Sequence, residues 1–219
     1  MPTATSKVES VLVAENLRFD ARLALFHEKA GWLAVADLHY GYEKSQQAAG
    51  ALFPAWGMDE IELRLGSLLA DYQPRTLLIL GDLIHTGVAM EDFLRWMEKI
   101  QARVPEVILI RGNHDRRIRS LLLQDHWRIG SMVFHHGHLP LGLEEKQAGD
   151  VIFSGHLHPA FTLSDGAGFR QKLPVLCQTA TGWVLPAFSP WAAGGRAEID
   201  NILAQWASNR QKIWKIPQK

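Results

Sequence analysis

The stretch of sequence that decides the fold is residues 107–115, Val-Ile-Leu-Ile-Arg-Gly-Asn-His-Asp. Its four apolar residues, 107–110, are typical of a buried β-strand. The polar side chains that follow need partners, because an unsatisfied polar group inside a protein is costly. Asn113 offers an amide oxygen, His114 an imidazole and Asp115 a carboxylate, and such groups bind cations or move protons. The stretch therefore predicts a strand that ends in a functional loop.

Four other apolar runs end in the same kind of polar residue. These residues are Asp37 and His39 after residues 32–36, Asp82 after 77–80, His136 after 132–134, and His156 and His158 after 151–154. In open α/β sheets, binding sites gather beyond the carboxyl ends of the strands. The five runs together therefore predict a metal site at one sheet edge. A lone histidine is more often structural, so the prediction depends on the complete set.

The spacing of the apolar runs predicts one α/β domain with two sheets. Strands separated by amphipathic helices indicate parallel βαβ units in the first half, and short strands dominate the second half. We expect an antiparallel meander over 11–26, strands at 31–36, 76–80, 107–110, 132–134, 151–154, 174–177, 183–188 and 212–216, helices at 43–50, 58–72, 90–102, 116–124 and 197–207, and a hairpin turn at 165–168.

Composition limits the class of protein. The chain has 219 residues, of which 47% are hydrophobic, and this supports a single domain over residues 1–219 with a flexible start at 1–9. A formal net charge of zero argues against strong non-specific DNA binding but leaves a local basic patch open. Cys177 is the only cysteine, so no internal disulfide forms. With neither a signal peptide nor a membrane-length apolar run, we expect a cytoplasmic protein without a membrane partner.

The predicted ligands mix imidazole with carboxylate and amide oxygens. This mixture suits Mn, Fe, Zn, Co or Ni better than Ca or Mg. Two such ions about 3.5–4 Å apart can clamp a phosphate and generate a hydroxide between them. The sequence therefore favours phosphoester hydrolysis over other uses of a metal.

The ordered motifs Asp-x-His, Gly-Asp, Gly-Asn-His-Asp, His-Gly and Gly-His-x-His between residues 31 and 158 resemble those of the calcineurin-like metallophosphoesterase superfamily. The resemblance implies a four-layer αββα sandwich of two mixed sheets flanked by helices, and two divalent transition-metal ions, with Mn²⁺ the first choice. It implies that one ion is held by Asp37, His39, Asp82 and His158, and the other by Asp82, Asn113, His136 and His156. His114 would assist the leaving group, Asp115 would orient His114, and a hydroxide bridging the metals would be the nucleophile.

A narrower resemblance concerns the ligase-associated DNA damage response endonuclease PdeM group, which is bacterial. It rests on the start of the chain at residues 17–32, on Gly-Asp-Leu-Ile-His at 81–85, on Leu-Pro-Ala-Phe at 185–188 and on Gly194-Gly195. This resemblance implies a phosphodiester substrate such as single-stranded DNA, a role in DNA repair, and ligase and helicase partners. Tyr42 stands where that group would place a lysine, which removes one phosphate contact.

Several residues near the motifs are candidates for substrate contact. His85 follows Asp82 by three positions, and Arg116 and Arg117 follow Asp115 directly. His138 is a further candidate, whereas His135 is expected in the core or at the surface. Trp183, Phe188 and Trp191 can form a stacking platform, although core packing is the expected role of the first two.

Three functions remain open from the sequence. The first is a phosphodiesterase acting on nucleic acid, the second a hydrolase of nucleotides or other small phosphoesters, and the third a metal-binding module without catalysis. The complete motif set argues against the third. Because such folds often dimerise, a homodimer is one expectation for the assembly.

Overall fold

A computed structural model describes residues 8–192, 194 and 198–217 of the chain. The first sheet has the strand order β1 to β6, which is also the order in the chain. Its strands are β1 (Ser10–Ala14), β2 (Leu17–Asp20), β3 (Ala24–His27), β4 (Trp32–Ala36), β5 (Thr76–Leu80) and β6 (Glu106–Ile110). The first three strands form the expected antiparallel meander, β4 continues it by pairing antiparallel with β3, and β4, β5 and β6 are parallel. The three parallel strands therefore carry their carboxyl ends to one edge.

Three α-helices connect the parallel strands. They are α1 (Tyr42–Ala48), α2 (Gly57–Tyr72) and α3 (Met90–Gln101). Their apolar residues recur at helical spacing, and α2 buries Ile61, Leu65 and Leu68 in the same core as the strands. None of the helices in the described residues is long and apolar enough to cross a membrane.

The second sheet holds the remaining strands in the order β14-β13-β11-β12-β9-β8-β7, with β10 paired to β11. The pairs β8–β9 and β9–β12 are parallel, and the other pairs are antiparallel, so the sheet is mixed. The strands are β7 (His126–Ile129), β8 (Met132–His135), β9 (Val151–Ser154), β10 (Ala160–Ser164), β11 (Arg170–Thr179), β12 (Gly182–Val184), β13 (Ile202–Ser208) and β14 (Ile213–Lys215).

The core lies between the two sheets. The Trp32 ring of the first sheet contacts Phe134 and Phe153 of the second, with centroids 5.0 and 5.3 Å apart. Backbone bonds join the sheets as well, since the N–H of Phe188 donates to the carbonyl oxygen of Ala36 at 2.7 Å. The expected two-sheet α/β fold is therefore confirmed. The helical layer covers the first sheet, and among the described residues the second half forms no α-helix.

Two predicted helices are wrong. Residues 116–124 pass from a single 3₁₀ turn (His114–Arg117) into an irregular segment, at whose end Gln124 exchanges backbone hydrogen bonds with Leu109 and Arg111. In the described part of 197–207, residues 198–201 are irregular and residues 202–207 belong to β13, whose backbone pairs with β11 on one side and β14 on the other. Sheet pairing outweighs helix propensity in both segments.

The remaining secondary-structure predictions hold in outline. The turn at 165–168 joins β10 to β11, and its Asp165 carboxylate accepts the N–H groups of Ala167 and Phe169. The last strand is β14, as expected, while the strand predicted at 183–188 ends at Val184. Residues 1–7 and 195 lie outside the described residues, so most of the flexible start is not addressed. Glu9 is hydrogen bonded through its backbone to Ala21 and Gln211.

Candidate metal centre

The predicted metal ligands lie on backbone turns of unusual conformation. Five of them have positive φ angles: Asp37 (54°), His39 (43°), Asp82 (47°), His156 (69°) and His158 (43°). Such angles are uncommon in residues other than glycine, and they cluster at functional sites because the surrounding structure must enforce them. The strand ends are therefore turned sharply at the positions where the polar side chains stand.

Parallel pairing between β4 and β5 continues beyond both strands and places their loops side by side. The N–H of His39 donates to the carbonyl oxygen of Asp82 at 2.8 Å, and that of Tyr40 donates to Leu83 at 3.0 Å. The Asp37-Leu38-His39 turn is thereby held against Asp82.

Two glycines allow a close approach of chain segments around the carboxylates. A Cβ atom on Gly112 would lie 2.2 Å from Oδ1 of Asp82, and one on Gly155 would lie 2.6 Å from Oδ2 of Asp37. Larger residues would displace both carboxylates. The glycines of the Gly-Asn-His-Asp and Gly-His-Leu-His motifs are therefore steric requirements of the site.

The first ligand group contains Asp37, His39 and His158. Nε2 of His158 lies 3.4 Å from Oδ1 of Asp37 and 3.4 Å from Nε2 of His39. These ligand atoms lie within 4.8 Å of one another, as those holding a metal ion would. Asp37 is fully buried, and both of its oxygens accept the backbone N–H of His156.

The second ligand group contains Asp82, His136 and His156, with Asn113 beside them. Nε2 of His136 lies 3.5 Å from Oδ1 of Asp82 and 3.1 Å from Oδ1 of Asn113. The rings of His136 and His156 have centroids 4.9 Å apart. The structure thus brings together all seven residues predicted as ligands, in the two predicted groups.

Asp82 lies between the two groups. Its Oδ2 faces Nε2 of His39 at 3.7 Å, and its Oδ1 faces Nε2 of His136 at 3.5 Å. One oxygen is therefore directed to each group, which is the arrangement that a bridging carboxylate needs. Oδ1 also accepts the backbone N–H of His114 at 3.0 Å.

The hydrogen bonds of His136 fit a bound cation. Its Nδ1 lies 2.9 Å from the carbonyl oxygen of Leu80, and a carbonyl can only accept, so Nδ1 carries a proton. In the neutral ring Nε2 then has a free lone pair, which faces oxygens of Asn113 and Asp82. Lone pairs that converge in this way repel one another unless a cation lies among them.

The lowered pKa values of His39 and His156 favour the neutral rings that a ligand role requires, whereas the pKa of His158 shifts the other way. Burial lowers the pKa of His39 to about 4, and burial also lowers the pKa of His156. Burial lowers the pKa of His158 too, but its hydrogen bond to Asp37 and the charges of Asp37 and Asp82 outweigh it and raise the pKa above the usual value. Nδ1 of His39 is buried and has no hydrogen-bond partner among the described residues. Neutral imidazoles are the form that binds metals.

The sequence suggested that Asp115 orients the ring of His114, but the carboxylate of Asp115 binds backbone groups instead. The fully buried carboxylate accepts the backbone N–H of Leu83 at 2.9 Å and that of Gly112 at 2.8 Å. Among the described residues it makes no hydrogen bond with the imidazole of His114. Burial raises the pKa of Asp115 to about 6, although the backbone donors act against this. Asp115 therefore joins the loop after β5 to the loop after β6.

His114 and His85 stand beside the first ligand group. His114 is exposed, and its ring centroid lies 5.1 Å from that of His39 and 5.3 Å from that of His85. Ligand atoms of His39, His85 and His114 also lie within 4.8 Å of one another, a third cluster that the sequence did not predict. Burial and the neighbouring His114 lower the pKa of His85.

The other candidates for substrate contact lie around the second group. The ring of His138 has its centroid 5.1 Å from that of His136, and burial lowers its pKa with a smaller contribution from Arg116. Arg116 and Arg117 are exposed and make no ion pair with any described residue. Trp183 and Phe188 are buried in the core.

The chain was compared with protein families, curated proteins and solved structures. A family model described as calcineurin-like phosphoesterase matches residues 33–138. The structure of a Pseudomonas putida nuclease, MPE, is 23% identical, with a TM-score of 0.71, and the match covers 96% of this chain and 100% of that one. No curated protein matches the sequence significantly.

Two further solved structures are more distant. One is Yfce, a phosphoesterase from E. coli, with 21% identity, a TM-score of 0.46 and a match over 84% of this chain and 97% of that one. The other is Vps29 of Chaetomium thermophilum, with 16% identity and a TM-score of 0.40. This match covers 84% of the present chain and 96% of Vps29.

The family match spans four of the five polar strand ends, and the fold is shared along almost the whole chain. Residues 33–138 therefore carry a calcineurin-like phosphoesterase domain. It is a metal-dependent phosphoester hydrolase of this class, and its His and Asp groups can bind divalent metal.

Asp82→Asn tests whether this residue bridges two ions. The substitution removes the charge from the carboxylate between the two ligand groups, so we expect fewer than two metal ions per chain. Elemental analysis of the manganese-loaded protein measures this number. Asp59→Asn, which changes an exposed carboxylate on α2, should match the parent. Two ions per chain in Asp82→Asn would contradict bridging.

Gly155→Ala tests the steric requirement. A methyl group would meet both Oδ2 of Asp37 and Cβ of Ala36, so we expect a loss of stability of about 1–3 kcal/mol, as for other overpacked sites. Metal binding should weaken in parallel because Asp37 must move. Urea unfolding and metal titration measure the two effects. In Gly66→Ala, where the nearest atom is 3.9 Å away within α2, stability should be retained or raised.

Proposed function

We propose that this chain is a binuclear metal-dependent phosphodiesterase that cleaves nucleic-acid strands, with single-stranded DNA as its substrate and bacterial DNA repair as its role. The observation that carries the proposal is the position of Asp82 between two ligand groups, beside an exposed His114. A two-ion centre with a free imidazole at its rim suits in-line displacement at phosphorus.

The residues that would hold the ions are those that the structure groups: Asp37, His39, Asp82 and His158 for one, and Asp82, Asn113, His136 and His156 for the other. When bound, two divalent ions, with Mn²⁺ the first choice, would neutralise phosphoryl oxygens and supply a hydroxide nucleophile at neutral pH. The chain itself fixes the direction of its ligands through Leu80 and through the backbone of His156.

His114 would move the proton in the reaction. Its backbone is fixed by the hydrogen bond to Asp82, and its side chain is open to solvent and to substrate. From this position it donates a proton to the departing alkoxide, or stabilises its charge. Asp115 contributes indirectly, since its hydrogen bonds to Leu83 and Gly112 hold the loop on which His114 lies.

The surroundings of the site support a polymeric substrate. Arg116 and Arg117 are exposed next to the catalytic loop without partners among the described residues, and free arginines of this kind bind phosphates of a nucleic-acid backbone. His85 and His138 flank the two ligand groups and are proposed to contact the substrate as well. The shared fold with a nuclease agrees with this choice.

The resemblance of the sequence to the PdeM group is the basis for the proposed role in DNA repair and for ligase and helicase partners. A cytoplasmic location and a homodimer complete the proposed setting. A formal net charge of zero favours a second candidate, a phosphodiesterase or phosphatase for nucleotides, because a long DNA footprint needs many phosphate contacts.

Hydrolysis by metal-stripped protein reloaded with manganese tests the function. The substrates are a nitrophenyl phosphodiester, the matching monoester and a single-stranded DNA oligonucleotide, and Asp82→Asn serves as the blank. We expect cleavage of the diester and the DNA by the parent, and loss of both in the blank. Turnover of the monoester with intact DNA would support the small-molecule hydrolase. If the protein with both ions bound hydrolyses none of the three substrates, the result would support a metal-binding module without catalysis.

His114→Asn tests the proton donor. The variant should keep its metal ions and lose about 10²–10⁴-fold in turnover, which is the usual contribution of a general acid. The loss should be greater for DNA than for the nitrophenyl diester, because the alkoxide of DNA leaves less easily without a proton. Steady-state kinetics on both substrates, with metal content as the control, measure the difference. Normal turnover of DNA would contradict the role.

A further inference from the structure

A row of aromatic side chains extends from the metal centre across the surface. We define the aromatic row as Tyr42, Phe53, Trp56 and Trp191. The ring of His85, which stacks on His114, has its centroid 4.7 Å from that of Tyr42. The rings of Phe53 and Trp56 lie 4.7 and 4.3 Å from Trp191. The row is therefore continuous with the site.

Trp191 is held in position by a buried carboxylate. Its indole N–H donates to Oε2 of Glu43 at 3.0 Å, and Oε1 of Glu43 accepts the backbone N–H of Met58 at 2.6 Å. Glu43 is 1% exposed, so this anchor is not competed for by water. A Cβ atom on Gly57 would lie 2.0 Å from the indole nitrogen, which shows how closely α2 approaches the ring. The row is thus ordered before any ligand arrives, and ordering it costs no additional entropy on binding.

The outer end of the row faces solvent. Trp56 is 43% exposed, although a large aromatic ring gains free energy from burial. The row itself carries no charge, because all four of its members are aromatic. Such a surface suits the planar face of a base, whereas the unpaired Arg116 and Arg117 suit phosphates.

We propose that the aromatic row is a stacking platform for unpaired bases of the nucleic-acid strand whose phosphodiester lies at the metal centre. This inference rests on the proposed function and adds a preference for single strands, because only unpaired bases expose their faces. Stacking on an aromatic side chain is tolerant of sequence. At this surface the enzyme would therefore discriminate single strands from duplexes, but not one base from another.

Binding of oligonucleotides tests the inference, in the His114→Asn background so that cleavage is slow. Two short single strands are used with equal numbers of phosphates, one with bases and one with abasic sites. We expect Trp56→Ala to weaken binding of the base-bearing strand by about 10-fold, the size of one lost stack. It should scarcely change binding of the abasic strand. Fluorescence anisotropy with the manganese-loaded protein measures both.

Two variants serve as controls. Trp56→Phe keeps a ring at the position and should retain most of the affinity for bases. Trp214→Ala removes a tryptophan of similar exposure, 47%, from the edge strand β14 of the second sheet, and should match the background protein. Thermal unfolding confirms that each variant is folded.

The outcomes separate this inference from the proposed function. The stacking platform would be overturned if Trp56→Ala lost equal affinity for both strands or lost affinity for neither. It would also be overturned if the background protein bound no oligonucleotide. A change in self-association by Trp56→Ala, measured by sedimentation, would overturn it as well, since the row would then bind a second copy of the chain. If the parent cleaves DNA but binds the base-bearing and abasic strands equally well, the proposed function stands without the platform. Base-dependent binding without cleavage of any diester by the parent would leave the platform and overturn the function.

Discussion

The structure depends on the compensation of buried negative charge. Asp37, Asp82 and Asp115 are at most 2% exposed, and an unpaired carboxylate inside a protein is too costly to persist. Asp115 is compensated by backbone N–H groups from two loops, and Asp37 by the N–H of His156. Asp82 accepts one backbone bond and otherwise faces histidines. A cation held by the two ligand groups would compensate the remaining charge.

Backbone strain is the complementary cost of this arrangement. Five of the predicted ligand residues have positive φ angles, and a residue held in such a conformation costs on the order of 1–3 kcal/mol. The parallel strands β4, β5 and β6 resist relaxation, because their pairing continues into the loops and their apolar side chains lie deep in the core. The same hydrogen bonds that fix the carboxylates also hold the turns. Rigidity at the strand ends is therefore what makes a precise ligand set achievable.

The sequence predicts those parts of the molecule that are determined by patterns within a short stretch of chain. Buried parallel strands are continuous apolar runs, so the strand ends could be predicted directly, together with the seven candidate ligands that the structure brings together. The role of Asp115 could not, since its partner Leu83 lies 32 positions away and offers only a backbone N–H. The helix predicted at 197–207 failed because pairing with β11 and β14, not propensity, decides that segment. Trp191 was recognised, but its contact with Glu43 spans 148 positions, so the aromatic row could not be predicted from spacing.

Metal binding and local order are coupled in this site. The proton on Nδ1 of His136 is fixed by Leu80, and the opposite nitrogen of the neutral ring then faces acceptors on Asn113 and Asp82. Without a cation these lone pairs repel one another, while the backbone hydrogen bond from His114 to Asp82 still holds the loop after β6. A bound cation would attract these same atoms. The free energy of metal binding would then add to the stability of the loop. The position of the proposed proton donor is therefore set by the backbone bonds of its loop, and a bound cation would relieve the repulsion beside it.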